Sequence, residues 1–248
     1  MRSFTSDSVT AAELGTTRLE TEAGAHRLEW DLTYAGPDTL GGVEISGFTG
    51  GVKAPPGEYQ VRLTVGDETQ TRPITVLPDP RIEGVTQDDY DEQLRLGLAV
   101  RDTISRIYDE LRRLASARDQ LKSIQERASQ AGYPSELTSR AESLVTALVE
   151  IEEELRQVKN QSGQDMLRFP PKLDTQFLTL YSYVTGVDNY SFGGPEGRPA
   201  AGAYTRFDDL NVEWATLRER LEVVLGTDVP AFNAELRQAE VPAVIVPR

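Results

Sequence analysis

Between Pro80 and Pro134 no proline interrupts the chain. Inside that stretch apolar residues recur at Ile104, Ile107, Leu111, Leu114 and Leu121, with Tyr108, Ala115 and Ile124 beside them. This is the a/d spacing of a helix that meets partner helices along its length. About 44 residues at 1.5 Å each span roughly 65 Å, so one helix alone would leave that stripe in water. The start is marked by Thr86 as a cap, with Asp88 and Asp89 in the first turn, where the helix dipole favours negative charge. Gly97 breaks the pattern and marks either close packing or a bend.

The partners are encoded downstream. Ala131-Gly132-Tyr133-Pro134-Ser135 ends one helix and caps the next. That second helix is expected to reach about Asn160, with Leu137, Ala141, Leu144, Val145, Leu148, Ile151, Leu155 and Val158 on one side. Residues 86–160 thus read as a long helical hairpin. Pro170-Pro171 breaks the chain, and further helices are expected over 173–185 and 203–225. The latter is marked by Phe207, Leu210, Trp214, Leu217, Leu221 and Val224. A short helix follows Asp228-Val229-Pro230, with proline in its first turn. Residues 84–240 then form an antiparallel bundle, and 241–248 a tail in which Val241 to Val246 reads as a strand.

Before the bundle the periodicity changes. Tyr59, Val61, Leu63 and Val65 alternate with Gln60, Arg62 and Thr64. Gly66-Asp67 makes a tight turn, and Gln70 to Leu77 returns as a partner strand. Arg18 to Glu20 and His26 to Leu32 read as earlier strands around the turn-prone Ala23-Gly24, and 36–51 as a Gly-rich loop or hairpin. So many short strands close most simply as two packed antiparallel sheets. The expectation for residues 1–80 is therefore an Ig/fibronectin-like β-sandwich with Trp30 as core anchor, followed by the bundle: an α+β multidomain chain. Pro78 and Pro80 stiffen the junction.

Composition excludes several functions. The net charge is −14, and no third of the chain is basic, which argues against a phosphate-tracking nucleic-acid surface. The acidity is better read as a solubility trait or as adaptation to salty surroundings. With no cysteine there is no disulfide, thiolate metal site or cysteine nucleophile. No apolar run suits a membrane span, and residues 1–7 carry no signal-peptide core. His26 is the single histidine, and no motif supplies it with triad partners. Glu150, Glu152, Glu153 and Glu154 lack a Glu-x-x-His partner, and three of them are consecutive, so no metal is expected. The stretch 186–199 is glycine-rich but lacks the Gly-Lys-Ser/Thr ending of a phosphate loop. No cofactor and no catalytic residue are assigned.

Two sets of residues remain as ligand-binding candidates. Asn189, Tyr190 and Phe192 lie in a long aromatic connector, although loop length favours a packed connector over a ligand site. Trp30 and Tyr34 form a sugar-stacking platform only if both rings face solvent. For a glycoside hydrolase, the paired carboxylates would have to be Asp188 with Asp208 or Asp209, where helix capping already accounts for aspartate.

The order of segments resembles a known family. Gly24 to Leu32, then Pro55 to Leu63, then Pro78-Asp79-Pro80-Arg81 and a long helix, with Thr227 to Asn233 near the end, is similar to the C-terminal region of large bacterial sortilin-like β-propeller proteins. These are described as BNR-repeat or glycosyl-hydrolase-like proteins, and the β part looks like the Ig-like module of flagellar hook-capping proteins. The chain has no Asp-box repeat and no propeller periodicity. The resemblance implies an exported parent protein, periplasmic or extracellular, whose carbohydrate chemistry belongs to its propeller. It also implies that this chain's sandwich lacks its first strand. The expected function is a non-catalytic accessory module that stabilises, positions or oligomerises a propeller. Its partners would be that propeller and a second copy bound through the helical hairpin or a sheet edge. A carbohydrate-binding module is the alternative and a glycoside hydrolase the lesser one.

Overall fold

The structure, a computed structural model, describes residues 2–43, 45, 47–131, 134–185 and 196–247, with backbone alone for 128–131 and 166. Two compact units divide the chain. One comprises Met1–Pro37, Phe48–Arg101 and Tyr181–Ala201; the other comprises Asp38–Gly47, Asp102–Leu180 and Gly202–Arg248.

The first unit opens with a short helix, α1 (Ser8–Glu13). Asp7 supplies the reason: its carboxylate accepts from the Thr10 amide at 2.8 Å and caps the turn. Residues 18–32 form no strand. Leu28 and Leu32 are 47% and 41% exposed, so their alternation with polar residues collects no core. The sheet consists of β1 (Gly57–Val65) and β2 (Glu68–Val76), paired antiparallel from Gly57↔Val76 to Val65↔Glu68. Besides this ribbon there is one isolated bridge, Thr33↔Lys53, among the described residues.

The Ig-like β-sandwich is therefore overturned. The chain is 53% helical and its sheet is a two-stranded ribbon. The alternation of β1 is real, but among the described residues no second sheet covers it. Val61, Leu63 and Val65 stand 49%, 55% and 68% exposed. In place of a second sheet, the segments 33–36 and 49–53 run against one another at very short range. A Cβ on Gly51 would lie 1.7 Å from the Tyr34 carbonyl oxygen, and one on Gly36 would lie 2.2 Å from that of Thr49. Only glycine permits this approach.

Helix α2 (Gln87–Ala131) begins as expected, with Thr86 and Asp89 bonded reciprocally: the Asp89 carboxylate accepts from the Thr86 amide at 3.0 Å and from its hydroxyl at 2.7 Å. Gly97 marks close packing. A Cβ there would meet both Val52 methyl groups at 3.1 Å, and Val52 is almost fully buried.

The second unit holds the larger core. Ile104, Ile107, Tyr108, Leu111, Leu114, Leu121 and Ile124 of α2 are buried, and Ala117 rather than Ala115 completes the stripe. Helix α3 (Ser135–Leu155) buries Leu137, Ala141, Leu144, Leu148, Ile151 and Leu155. It stops short of Asn160 because Arg156 turns extended, at φ −138 and ψ 156. Val158 is consequently outside the helix and 38% exposed. Helix α4 (Leu173–Thr185) and α5 (Ala201–Val223) follow the expected bounds closely.

Between α5 and α6 (Val229–Gln238) lies a π-turn, Val224–Asp228, in which the Val229 amide donates to the Val224 carbonyl. Pro230 explains it. Proline cannot donate to the carbonyl four residues back, and its ring would strike that carbonyl, so the wider turn removes the conflict. The tail forms no strand among the described residues. Its backbone is instead held by two side-chain amides: Asn233 exchanges two hydrogen bonds with Val244 (2.8 and 2.6 Å), and Gln120 exchanges two with Ile245 (2.6 and 2.7 Å). Each amide mimics the donor and acceptor of a neighbouring strand, which lets Val241 and Val244 bury without a sheet.

Candidate functional site

In the first unit the aromatic candidates cluster at the base of the ribbon. Trp30 meets Tyr59 edge to face, with ring centroids 5.7 Å apart, and its indole N–H donates to the Thr33 carbonyl at 2.8 Å. The Tyr59 hydroxyl donates to the Pro55 carbonyl at 2.7 Å. Burial raises the Tyr59 pKa, reinforced by Tyr34 and Asp91 nearby. Tyr34 is half-buried, and its backbone amide donates to Val52. Trp30 and Tyr34 thus share one locality with Tyr59, which the sequence marked only as a strand residue. Both rings of the Trp30–Tyr59 pair are partly buried and their polar ends are engaged, which is the arrangement of a packed anchor rather than a flat stacking platform.

A charged group surrounds the start of α2. Lys53 pairs with Glu196, and Arg81 grips Asp79 with bonds of 2.9 and 2.6 Å. The Arg81 side chain, and then its backbone amide, hold the Asp79 carboxyl down at about 2. Asp89 is held at about 2 by the Thr86 hydroxyl and amide, and then by Arg198 at 2.7 Å. Tyr90 is pushed up by burial and by the charges of Glu196 and Asp79. Acids and bases alternate here, and among the described residues no carboxylate pair converges on a cleft. Gln93 completes the group: its Nε2 donates to the Val184 carbonyl at 2.9 Å, and its Oε1 accepts the Gly197 amide at 2.9 Å. One side chain therefore holds both flanks of the stretch that carries Asn189, Tyr190 and Phe192. Those three residues, and Asp188, lie outside the described residues.

The second unit contains a buried ionic network that sequence reasoning missed. Glu152 on α3 is 6% exposed and takes Arg118 of α2 on one oxygen and Arg156 on the other at 3.0 Å. Burial acts to lower the Arg118 pKa, but Glu152 and Asp119 outweigh it and hold the guanidinium above its usual range. Asp174, at the start of α4, accepts from the Thr175 amide at 2.5 Å and its hydroxyl at 3.1 Å, and from the Tyr108 hydroxyl at 3.3 Å. Burial nonetheless pushes its carboxyl up, and it also pushes up the Tyr108 phenol. A signal for Glu152 existed: it lies four residues after Leu148 and three before Leu155, on the apolar stripe itself.

The remaining candidates are dispersed. Asp208 and Asp209 are exposed on α5. His26 sits on the surface, its Nε2–H donating to the Glu22 carbonyl at 2.6 Å. Among the described residues no group of three or more acidic or imidazole side chains is placed to hold a metal ion, and no helix is long and apolar enough to cross a membrane. No protein-family model matches the chain, no curated protein matches it, and no solved structure matches it. The likeness to sortilin-like propeller proteins rests on the sequence motifs alone.

Proposed function

We propose that this chain is a non-catalytic accessory module that positions and stabilises a β-propeller protein. One observation carries the reading: the buried acids Glu152 and Asp174 tie α3 and α4 to α2, through Arg118 and Tyr108, while Arg156 and Thr175 occupy their remaining oxygens locally, so neither acid faces a cleft. Such a network fixes geometry, which is what a positioning module requires. The propeller as partner follows from the resemblance of segments 24–32, 55–63 and 78–81 to the tail of that family. The test is direct: a purified β-propeller of the resembled family is mixed with the chain at about 20 μM. Co-elution on size exclusion and a rise of about 3 °C or more in the propeller's melting temperature are expected. Separate elution with unchanged melting overturns the reading.

A further inference from the structure

The β1–β2 ribbon has two edges, and they differ. Val65 and Glu68 flank a two-residue turn whose first residue, Gly66, has φ +58. That turn makes Val65↔Glu68 a hydrogen-bonded pair. Alternation along the ladder then points the amides and carbonyls of Glu58, Gln60, Arg62 and Thr64 away from β2. On the other edge the outward positions are Thr69, Thr71, Pro73 and Thr75, and Pro73 has no N–H to offer. Proline is accepted in β2 because its position needs no ladder donor. That edge is closed in its middle, whereas the β1 edge is open throughout. Glu58, Gln60, Arg62 and Thr64 are all exposed, and no backbone bond from outside the ribbon reaches them among the described residues.

We infer that the chain self-associates by antiparallel pairing of β1 with β1 of a second copy, centred on Gln60. Charge selects both the occupant and the register. Outward amides meet outward amides only when β1 pairs even-numbered residues with even-numbered ones. Centred on Gln60, the pairing sets Glu58 opposite Arg62 of the copy, and twofold symmetry repeats the pair. Centred on Val61, Glu58 faces Thr64 instead; centred on Arg62, two guanidinium groups collide. Only the first register is charge-complementary. One Glu58 oxygen already accepts from the Thr75 hydroxyl at 2.7 Å, leaving the other for the guanidinium. No ion pair occupies Arg62 among the described residues. The same register places Tyr59 against Val61 of the copy, so the exposed apolar face continues across a four-stranded sheet. A lone two-stranded ribbon is marginal in water, and doubling its strands relieves that. The contact is smaller than a standard interface, so the expected dissociation constant lies in the range of about 10–100 μM. The pairing does not depend on a propeller partner.

Sedimentation equilibrium of the full chain from about 1 μM to 1 mM tests it. Wild type should pass from monomer to dimer. Arg62→Glu sets carboxylates opposite each other and should weaken dimerisation by about tenfold or more. The double variant Glu58→Arg, Arg62→Glu restores complementarity in a symmetric pair and should recover the dimer. Gln60→Pro, with circular dichroism to confirm folding, should abolish it by removing the central outward amide. A monomer at every concentration overturns the inference, as does a dimer indifferent to Arg62→Glu and Gln60→Pro. A monomeric wild type that binds a purified β-propeller, and loses it on Gln60→Pro, also overturns it in favour of a heterologous strand.

Discussion

Truncating Glu152 isolates what the buried network contributes. Its carboxylate is 8% exposed in its side chain, and it is the shared partner of Arg118 and Arg156, which are 19% and 20% exposed. Removing one member of a buried ion pair destabilises by about 3–5 kcal/mol, because the remaining charge loses its partner without regaining water. Two features reduce that figure here. Each arginine already reaches solvent over about a fifth of its surface, and Arg118 keeps Asp119 at 3.0 Å. A loss of about 2–3 kcal/mol is expected for Glu152→Ala. In urea, with a slope of about 2–3 kcal/mol/M, the unfolding midpoint should fall by about 1 M when followed by far-UV circular dichroism. Replacing the interhelical pair together (Glu152→Leu with Arg118→Leu) should recover much of that loss, since it leaves unpaired only Arg156, which reaches solvent. A drop below about 0.5 kcal/mol for Glu152→Ala would refute the reasoning. So would a double variant no more stable than the single one.

Three further outcomes can be checked. Burial raises the Asp174 carboxyl, so the folded chain holds that proton more tightly than the unfolded one, and stability falls as pH rises from the unfolded value to the folded one; Asp174→Asn should remove that fall, gaining on wild type in urea midpoints as pH rises above the ordinary carboxyl range. Asp89 has the opposite sign: its contribution is present above the unfolded carboxyl value and lost as pH falls to about 2. A carboxyl titration by NMR should find that midpoint, and Arg198→Ala should move it upward. Gly97→Val overfills the contact with Val52 and should destabilise by about 1–3 kcal/mol, with Val52→Ala restoring much of the loss in the pair.

The helices were legible because their signals are local and redundant. Pro134 and Pro170-Pro171 punctuate them, and a stripe repeated from Ile104 to Ile124 admits one period only. Gly97 was legible as an irregularity, but the choice between close packing and a bend needed the Val52 contact. That the strands form a ribbon rather than a sandwich was not legible. Alternation in β1 records that its two faces differ, which holds equally for a buried sheet and for a ribbon that awaits a partner. What decides between them is whether residues 18–36 supply a second sheet. That turned on backbone contacts at Gly36 and Gly51 that no side-chain pattern reports. Of the candidate residues, Trp30 was marked in the sequence, but its engagement with Tyr59 and Thr33 required three dimensions. The Glu152 network was hidden by its neighbours: in a run of glutamates, the buried one differs only in phase.

The proline in β2 has a consequence best put in the language of polymer chemistry. A strand ribbon with two open edges is a bifunctional monomer, and bifunctional monomers grow into chains without limit, as fibrils do. Pro73 leaves the ribbon monofunctional. A monofunctional unit terminates growth wherever it reacts, so whatever strand meets β1, the count of added partners stops at one.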